Sequence, residues 1–369
     1  MAEIQGTYEK KFKRVHDALA ASLDGKDVGA CAAVYLDGEL VVDIWGGYVD
    51  EARTIPWERD TITNVWSTTK TMASLCALVL ADRGDLDLCA PVAQYWPEFA
   101  AAGKEGVLVR HVLSHTAGLP DFDRKVPVGE LYDWTGITTL LAKQALLWEP
   151  GKLAGYHSVT QGFLLGEVVA RITGRSLGTF FAEEVAGPLG ADFHIGLPAE
   201  HDHRLALSIA PPDSIDRDWE APIPERAMPA AVINKGLRLS DGNSVAWRRA
   251  HLPFGSGVGN ARSVAAVQSV LANGGTAHGV RLLSPEGCEV ARQEQYRGFD
   301  QVLAASIRYG MGYALSDRAF YWGGWGGSTV MVDIDKRMSV SYVMNQMLGR
   351  EHGDVRALGI VLAAYESLA

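Results

Sequence analysis

Apolar residues recur at helical spacing near the N-terminus and form two continuous segments directly afterwards. Residues 7–23 predict an amphipathic helix, because apolar positions repeat every three or four residues along them. Gly29–Leu36 is apolar nearly throughout, and Asp37-Gly38 is a favoured two-residue turn. Residues 40–48 return as a second segment of strand character. The pattern therefore predicts a helix followed by a β-hairpin.

The middle of the chain has mainly helical periodicity. A nearly all-apolar helix is predicted from about Ser67 to Asp82. The stretch 198–262 is rich in Pro, Asp and Arg and predicts long loops. Further helical segments are predicted at residues 108–115, 136–147, 158–173, 177–186, 263–273 and 284–293.

Strand patterns return in the last third of the chain. Strands at both ends and helices between them favour an α/β (α+β) fold, in which a mainly antiparallel sheet is flanked by helices and joined to an all-helical region. We expect one unit over residues 1–369. Its α/β region would comprise about 1–70 and 260–369, and its mostly helical and loop region about 71–259. The C-terminal elements predicted are strands at residues 319–322, 328–333 and 338–345, a turn at Asp335-Lys336 and a helix at 356–368.

Composition and charge exclude several classes of partner. The 369 residues carry a formal net charge of -10, which opposes binding to nucleic acid or to an anionic membrane. No apolar segment follows the basic residues at the N-terminus, and the longest apolar runs are too short to cross a bilayer. Four widely spaced cysteines show no metal-ligand pattern. We therefore expect a cytoplasmic protein whose cysteines are reduced core residues.

The start of the helix predicted at Ser67 carries the first candidate chemistry. Ser67 and Lys70 stand three residues apart, so both would lie on one face of the first turn. Burial lowers the pKa of a lysine, and a neutral amine beside a serine can take the hydroxyl proton during attack. The other interpretation makes Ser67 an N-cap and lets the Lys70 side chain reach solvent.

A second candidate is Tyr156, which follows Gly155 on a loop just before a predicted helix. Its phenol could carry a proton if nearby cations lowered its pKa. The alternative is a half-buried tyrosine that only packs. Ser158 with Gln161 matches a capping box, which gives Ser158 a structural role.

The third candidate is the segment Trp322-Gly323-Gly324-Trp325, within a glycine-rich stretch near the C-terminus. Glycines in a strand often mark a close approach of a ligand, so an edge strand here could donate a backbone N–H to an oxyanion. The alternative is a glycine-rich turn whose two tryptophans simply pack.

Five motifs follow one another in a fixed order over nearly the whole chain. They are Ser67-Thr68-Thr69-Lys70, the segment 113–120 (Leu-Ser-His-Thr-Ala-Gly-Leu-Pro), Tyr156-His157-Ser158, Trp322-Gly323-Gly324 and the segment 342–345 (Tyr-Val-Met-Asn). With these motifs the chain resembles the serine β-lactamase-like (penicillin-recognising) superfamily, and within it family VIII carboxylesterases and class C β-lactamases. The resemblance implies a β-lactamase-like fold with an active site between the α/β and the helical regions.

The resemblance also implies roles for these positions. Ser67 would be the acylated nucleophile, with Lys70 and Tyr156 as its proton-transfer partners. The backbone N–H groups of Ser67 and Trp325 would form the oxyanion hole. The chemistry would need no metal and no organic cofactor. Substrate contacts would come from Trp322, Gly323, Gly324, Trp325 and Ser158.

Two departures from the family pattern bear on the substrate. The lactamase pattern Tyr-x-Asn has Ser158 at its third place, and the pattern Lys-Thr-Gly has become Trp322-Gly323-Gly324. Loss of that lysine favours a neutral, short-chain carboxylic ester over a β-lactam as the small-molecule substrate. Alternatives on the same scaffold are an amidase, D-aminopeptidase or weak β-lactamase, an acyltransferase, and a catalytically inactive binding protein.

Three other patterns are expected to be structural. The Gly-x-Ser-x-Gly sequence at 174–178 follows a predicted helix, so Ser176 fits the N-cap of the next helix and not a nucleophile elbow. The segment 201–203 (His-Asp-His) is expected to be a solvated loop and not a metal site. His115 is expected to lie in a helix end that Gly118 terminates.

Overall fold

The structure, a computed structural model, describes residues 3–211, 237–348 and 354–368. Its strands are β1 (Ile4–Tyr8), β2 (Gly29–Leu36), β3 (Glu39–Gly47), β4 (Ile62–Asn64), β5 (His194–Ile195), β6 (Leu205–Ala206), β7 (Gly257–Gly259), β8 (Thr276–Ala277), β9 (Val280–Arg281), β10 (Tyr296–Asp300), β11 (Ala305–Tyr309), β12 (Ala314–Leu315), β13 (Phe320–Gly323), β14 (Thr329–Asp333) and β15 (Met338–Met344). Its helices are α1 (Lys13–Gly25), α2 (Thr69–Asp82), α3 (Val92–Tyr95), α4 (Val109–Leu113), α5 (Trp134–Lys143), α6 (Thr160–Thr173), α7 (Leu177–Phe181), α8 (Gly187–Leu189), α9 (Leu239–Gly242), α10 (Val245–Arg249), α11 (Ala261–Ala272), α12 (Pro285–Val290) and α13 (Val355–Glu366).

A large antiparallel sheet draws its strands from both ends of the chain. Among the described residues, nine strands form it in the order β1-β3-β2-β15-β14-β13-β12-β11-β10. Strand β2 pairs with β3 across the predicted Asp37-Gly38 turn and with β15 on its other side. The N-terminal hairpin and the last strand therefore share the centre of the sheet.

Helices from both ends of the chain cover this centre. Helices α1 and α13 pack against each other, α1 also against β2 and α13 also against β15, while α11 packs against β2, β14 and β15. Residues 29–35 of β2 are all buried, so neither face of the sheet centre is open to solvent. The predicted fold class, a mainly antiparallel sheet flanked by helices with a further helical region, is confirmed.

Helix α2 is buried all round, as its nearly continuous apolar sequence predicts. Every residue from Thr69 to Leu80 is buried, and the helix packs against α6, α7 and α12. The 3₁₀ turn that precedes it, Trp66–Thr68, contacts β13 of the large sheet. The start of α2 therefore lies between the sheet and the helical region.

The N-terminal helix begins later than residues 7–23 predict. Residues 7–8 belong to β1, which pairs antiparallel with β3, and α1 runs over Lys13–Gly25. Most side chains of β1 are exposed at the edge of the sheet. The strand consequently has no apolar alternation by which its sequence would reveal it.

Other strands are also absent from the sequence pattern. The stretch 198–262, predicted as long loops, contains α9, α10 and the strands β6 and β7, which join β4 and β5 in a small second sheet. Residues 212–236 of that stretch lie outside the described residues. Strands β10, β11 and β12 are likewise unpredicted, because they are short and become strands through their pairing with one another.

Expectations from the sequence also concern the cysteines, membrane-spanning segments, the division into regions and the cellular location. All four cysteines are free thiols; three are buried, whereas Cys89 is exposed and is not a core residue. No described helix combines the length and the apolar character that crossing a bilayer requires. The division into regions 1–70 with 260–369 and 71–259 stays a prediction, as does the cytoplasmic location.

A buried ion network ties the two ends of the chain to the sheet. Arg356 near the start of α13 is 4% exposed, and its Nη1 donates to Asp27 Oδ1 at 2.7 Å. The hydroxyl of Tyr342 on β15 donates to the other oxygen of that carboxylate at 2.6 Å. Arg356 Nη2 donates to the backbone oxygen of Gly326 at 2.6 Å. One guanidinium thus links α13, the α1–β2 connection and the turn after β13.

Replacing Arg356 by methionine would leave the Asp27 carboxylate buried without its cation. Breaking a buried pair in this way typically costs about 3–5 kcal/mol, and we expect a loss of that order in the free energy of unfolding, measured by urea denaturation. Arg14, which pairs with Glu366 at 2.6 Å on the surface, provides the control. Arg14→Met should change stability by less than about 1 kcal/mol, and equal losses in the two variants would contradict the role given to the buried network.

Candidate active site

Ser67 and Lys70 are in contact where α2 begins. Ser67 lies in the 3₁₀ turn Trp66–Thr68, and α2 starts at Thr69, two residues later than predicted. Trp66 has the left-handed backbone angle φ 48°, an unusual conformation for a residue other than glycine. Because the turn runs directly into the helix, the i to i+3 neighbourhood persists, and Lys70 Nζ lies 3.0 Å from Ser67 Oγ.

The amine of Lys70 is enclosed by apolar and aromatic groups. Lys70 is 1% exposed, so its side chain does not reach solvent. Its Nζ donates to the backbone oxygen of Phe254 at 2.8 Å and lies 5.0 Å from the centre of the Tyr156 ring. Desolvation holds the pKa of Lys70 well below its ordinary value. A neutral amine in contact with a serine hydroxyl is able to accept its proton.

Tyr156 lies on a loop beside β10, an edge strand of the large sheet. Its ring centre is 5.1 Å from that of Trp322 and 5.0 Å from that of His115. Its backbone N–H donates to Asp300 Oδ1 at 3.1 Å. The three residues Ser67, Lys70 and Tyr156, which are widely separated in sequence, are thus brought to one place.

Ser158 is half-buried next to this loop, but it does not form the predicted capping box. Helix α6 begins at Thr160, and the Ser158 N–H donates to the backbone oxygen of Tyr156 at 3.0 Å. The Gln161 side chain is buried and its Nε2 donates to the backbone oxygens of Val112 and Leu113, both at 3.3 Å. Since Gln161 is turned to α4, the capping-box prediction is wrong.

His115 packs behind Tyr156 and Trp322. Helix α4 ends at Leu113, earlier than predicted, and His115 itself takes a left-handed conformation, φ 58°. Its Nδ1 accepts the backbone N–H of His157 at 3.1 Å. Burial, together with the nearby His157 and Lys70, keeps the pKa of His115 well below its ordinary range. This imidazole is therefore a neutral packing group.

Trp322 and Gly323 end β13, which is an interior strand and not the predicted edge strand, and Gly324 follows the strand. Its neighbour β12 pairs with it only as far as Tyr321, whereas β14 pairs with it as far as Gly323. On the side away from β14, the backbone of Trp322 and Gly323 is therefore not paired with β12. Trp322 is 8% exposed and its ring stacks on His115 at 5.6 Å.

The turn that carries Trp325 is held against the residues around Ser67. Gly324 approaches the backbone of Val65 so closely that a Cβ there would stand 2.1 Å from the Val65 oxygen. Ser328 Oγ donates to the same oxygen at 2.7 Å and lies 2.9 Å from Thr68 Oγ1. These contacts bring Trp325, the second predicted oxyanion residue, next to the turn of Ser67, the first.

Some residues of the site carry no recognisable sequence signal. Phe254, which accepts the hydrogen bond of Lys70, lies in a loop of the stretch 198–262. Asp300 ends a strand that the pattern does not predict. Trp66 contacts both Trp325, at 4.8 Å between ring centres, and Trp247, at 5.5 Å. An aromatic wall near Ser67 is therefore formed by tryptophans that are distant in sequence.

The two remaining patterns have structural partners. Gly174 ends α6 in a left-handed conformation, and Ser176 caps α7 by accepting the Thr179 N–H at 3.1 Å. Ser176 Oγ also lies 2.6 Å from His251 Nδ1, but it stands between two helices and not on a strand-to-helix elbow. The His-Asp-His segment lies in a 3₁₀ helix, Ala199–Arg204, and not in the predicted loop, and its Asp202 forms ion pairs with arginines of α10.

The fold and this cluster together define a class of protein. An antiparallel sheet with a helical region, and a serine in contact with a buried lysine at the start of the central helix, is the arrangement of serine hydrolases with a β-lactamase-like fold. The family model described as Beta-lactamase matches residues 13–365. The chain belongs to this family, and the predicted superfamily is confirmed.

Relatives of known structure or name cover nearly the whole chain. A solved family VIII carboxylesterase is 41% identical, with a TM-score of 0.92 over 99% of this chain and 100% of that one. A penicillin-binding protein homologue from Caulobacter crescentus is 35% identical, with a TM-score of 0.90 and the same coverage. The esterase/beta-lactamase LipL of Mycobacterium tuberculosis is 32% identical over 373 residues, which cover 93% of this chain and 83% of LipL.

Two serines in different settings allow the nucleophile to be tested. Ser67→Ala should abolish hydrolysis of p-nitrophenyl butyrate, because it removes the hydroxyl that contacts Lys70. Ser176→Ala should keep most activity and lose about 1 kcal/mol of stability, since it removes only a helix cap. Initial rates of the two purified variants test the loss of activity, and thermal melts test the loss of stability. Full loss in Ser176→Ala with activity retained in Ser67→Ala would refute the assignment.

Proposed function

We propose that the protein is a carboxylesterase that cleaves short, neutral carboxylic esters through an acyl-enzyme on Ser67. The observation that carries the proposal is the contact of 3.0 Å between Ser67 Oγ and the amine of the buried Lys70. The family membership and the identity of 41% to a family VIII carboxylesterase support it. A binding protein without catalysis would not require this contact, which keeps a lysine buried at a cost of several kcal/mol.

Acylation follows from the proposed groups. The amine of Lys70 takes the proton of Ser67 as Oγ attacks the ester carbonyl, and the C=O bond opens to a tetrahedral oxyanion. The backbone N–H groups of Ser67 and Trp325 stabilise that charge. When the intermediate collapses, the C–O bond to the alcohol breaks, and Tyr156 gives its proton to the leaving oxygen while it receives one from Lys70.

Deacylation repeats these steps with water as the nucleophile. Water enters the position that the alcohol has left, and the amine of Lys70, neutral again, accepts a proton by way of Tyr156. The second tetrahedral intermediate collapses to the carboxylic acid and Ser67. No step needs a group beyond the side chains and backbone of the chain and one water.

The substrate preference follows from what surrounds Tyr156. Trp322 presents an indole where the lactamase pattern has a lysine, and the rings of His115 and Tyr309 lie beside it, 5.6 and 6.0 Å from it between centres. An uncharged aromatic surface of this kind suits an ester without a carboxylate, whereas the carboxylate of a β-lactam would lose water without gaining a cation. We therefore place neutral esters ahead of β-lactams.

The role of Lys70 has a pH signature. Since the neutral amine is the base and burial lowers its pKa, kcat/KM should fall as the pH drops through that lowered pKa and stay level above it. Lys70→Arg should have less than about a tenth of the wild-type kcat, because a guanidinium stays protonated at any working pH. A tenth corresponds to a change of roughly 1.4 kcal/mol in the barrier.

Tyr156→Phe is the companion variant, with circular dichroism as the check on folding for both. Strong loss in both variants would mean that the pair acts as one coupled unit, to which the pH profile then belongs. A folded Lys70→Arg enzyme that keeps more than a tenth of kcat would eliminate Lys70 as the essential base and leave Tyr156 as the proton acceptor.

The substrate preference is tested by comparing kcat/KM for p-nitrophenyl acetate and for the chromogenic cephalosporin nitrocefin in one buffer. We expect the ester to be favoured by at least about a hundredfold, equivalent to roughly 2.7 kcal/mol. Trp322→Lys should narrow the gap, because it adds a cation for the β-lactam carboxylate. Comparable values in the wild-type protein would refute the preference for neutral esters.

A further inference from the structure

Asp300, at the end of β10, is fully buried, and within the described part of the chain its carboxylate accepts hydrogen bonds from neutral donors. Its Oδ1 accepts the backbone N–H groups of Tyr156 at 3.1 Å, Val302 at 2.8 Å and Leu303 at 2.7 Å. Its Oδ2 accepts the hydroxyl of Tyr309 at 2.8 Å. Burying a carboxylate costs free energy unless it is paired and hydrogen-bonded. The parts of the structure that its hydrogen bonds join therefore bear on its role.

The bonds to Val302 and Leu303 form a local turn after the strand, which a serine or asparagine would also support. The bonds from the Tyr156 N–H and the Tyr309 hydroxyl instead join Asp300 to other parts of the structure. The bond to Tyr156 joins residues 144 positions apart, and Tyr309, the fourth donor, has its ring 5.0 Å from that of His115. Asp300 therefore connects the Tyr156 loop with the aromatic cluster behind it.

The Tyr156 loop is attached to the edge of the sheet at Asp300 and its neighbour Gln301. Ala154 forms a parallel bridge with Asp300, and the Gln301 N–H donates to the Ala154 oxygen at 2.9 Å. Two residues after Ala154, the backbone N–H of Tyr156 donates to the carboxylate of Asp300. The backbone of Tyr156 is thus fixed from the sheet, while its ring is confined by Trp322 and His115.

We propose that Asp300 is a positioning residue, which holds Tyr156 where its hydroxyl can give a proton to the departing alcohol. The inference rests on the proposed function, in which Tyr156 has that proton role. General acids contribute about 10²- to 10⁴-fold to a rate when they are well placed, and displacement of about 1 Å is enough to lose much of this. Position, and not negative charge, is what Asp300 supplies.

The dependence of rate on the leaving group separates this role from a merely structural one. p-Nitrophenolate departs without needing a proton, whereas an ethoxide must be protonated as it leaves. The experiment compares kcat/KM, which reports acylation, for p-nitrophenyl butyrate and ethyl butyrate, two esters with the same acyl group. A fault in proton donation lowers the value for the ethyl ester selectively.

Three substitutions at position 300 distinguish geometry from charge. Asp300→Ala should lower kcat/KM for the ethyl ester at least about tenfold more than for the aryl ester. Asp300→Glu retains the charge but moves the acceptor by one methylene, and should show the same selective loss; it also serves if the alanine variant does not fold. Asp300→Asn retains an oxygen for the three N–H groups and should rescue both substrates to within about threefold of the wild type.

Asp333 provides the matched control. It is also a buried aspartate that accepts one tyrosine hydroxyl, that of Tyr365 at 2.8 Å, and a backbone N–H, that of Lys336 at 2.8 Å, but it lies at the far end of β14. Asp333→Ala should lower thermal stability while it changes the ratio of the two kcat/KM values by less than about threefold.

Tyr156→Phe sets the scale for the selective loss. If this variant shows the selective loss but folded Asp300→Ala or Asp300→Glu slows both esters equally, the positioning role is overturned and the proton role of Tyr156 stands. If Tyr156→Phe slows both esters equally, the proton role fails and the inference fails with it. An Asp300→Asn variant as selective as the alanine variant would also overturn the claim that position, and not charge, is supplied.

Discussion

The site depends on one constraint, which is that an amine buried away from water must be neutral or paired with an anion. Lys70 is buried, its hydrogen bonds go to the oxygens of Ser67 and Phe254, and desolvation is the cause that lowers its pKa. An ammonium here would lose several kcal/mol of hydration without a carboxylate in return. The apolar character of α2 is therefore part of the chemistry, because a helix that was solvated on one face would leave Lys70 protonated at neutral pH.

The remaining groups must be brought to this fixed amine from elements that are far apart in sequence. On the sheet side, Gly324 and Ser328 hold the turn of Trp325 against the backbone of Val65. On the helical side, Asp300 holds the loop of Tyr156 at the edge of the sheet. Both attachments use hydrogen bonds to backbone groups. The turn of Trp325 and the loop of Tyr156 are thus each fixed by the large sheet, through separate contacts.

The sequence predicts those elements of the fold and site whose signals lie within a few neighbouring residues. The hairpin around Asp37-Gly38 and the buried helix α2 follow from turn chemistry and apolar periodicity, and the ordered motifs indicate which segments meet at the site. Asp300 shows the limit, since β10 becomes a strand through its pairing with β11 and its sequence has no apolar alternation. The capping box at Ser158 fails for a related reason. Gln161 fits the local rule but finds better partners in the backbone of α4, which only the tertiary structure supplies.

In the proposed function, the uncharged side chain of Trp322 affects both the protonation of the neighbouring groups and the choice of substrate. A lysine at this position would place a second cation near Lys70, which would lower the pKa of Lys70 further and would also stabilise Tyr156 as a phenolate. The uncharged indole does neither. In the proposed mechanism the tyrosine therefore passes a proton from one group to another, and the lysine acts as the base. The proposal thus connects mechanism and substrate through one position, because a lysine there would bind a carboxylate and would also favour an anionic tyrosine.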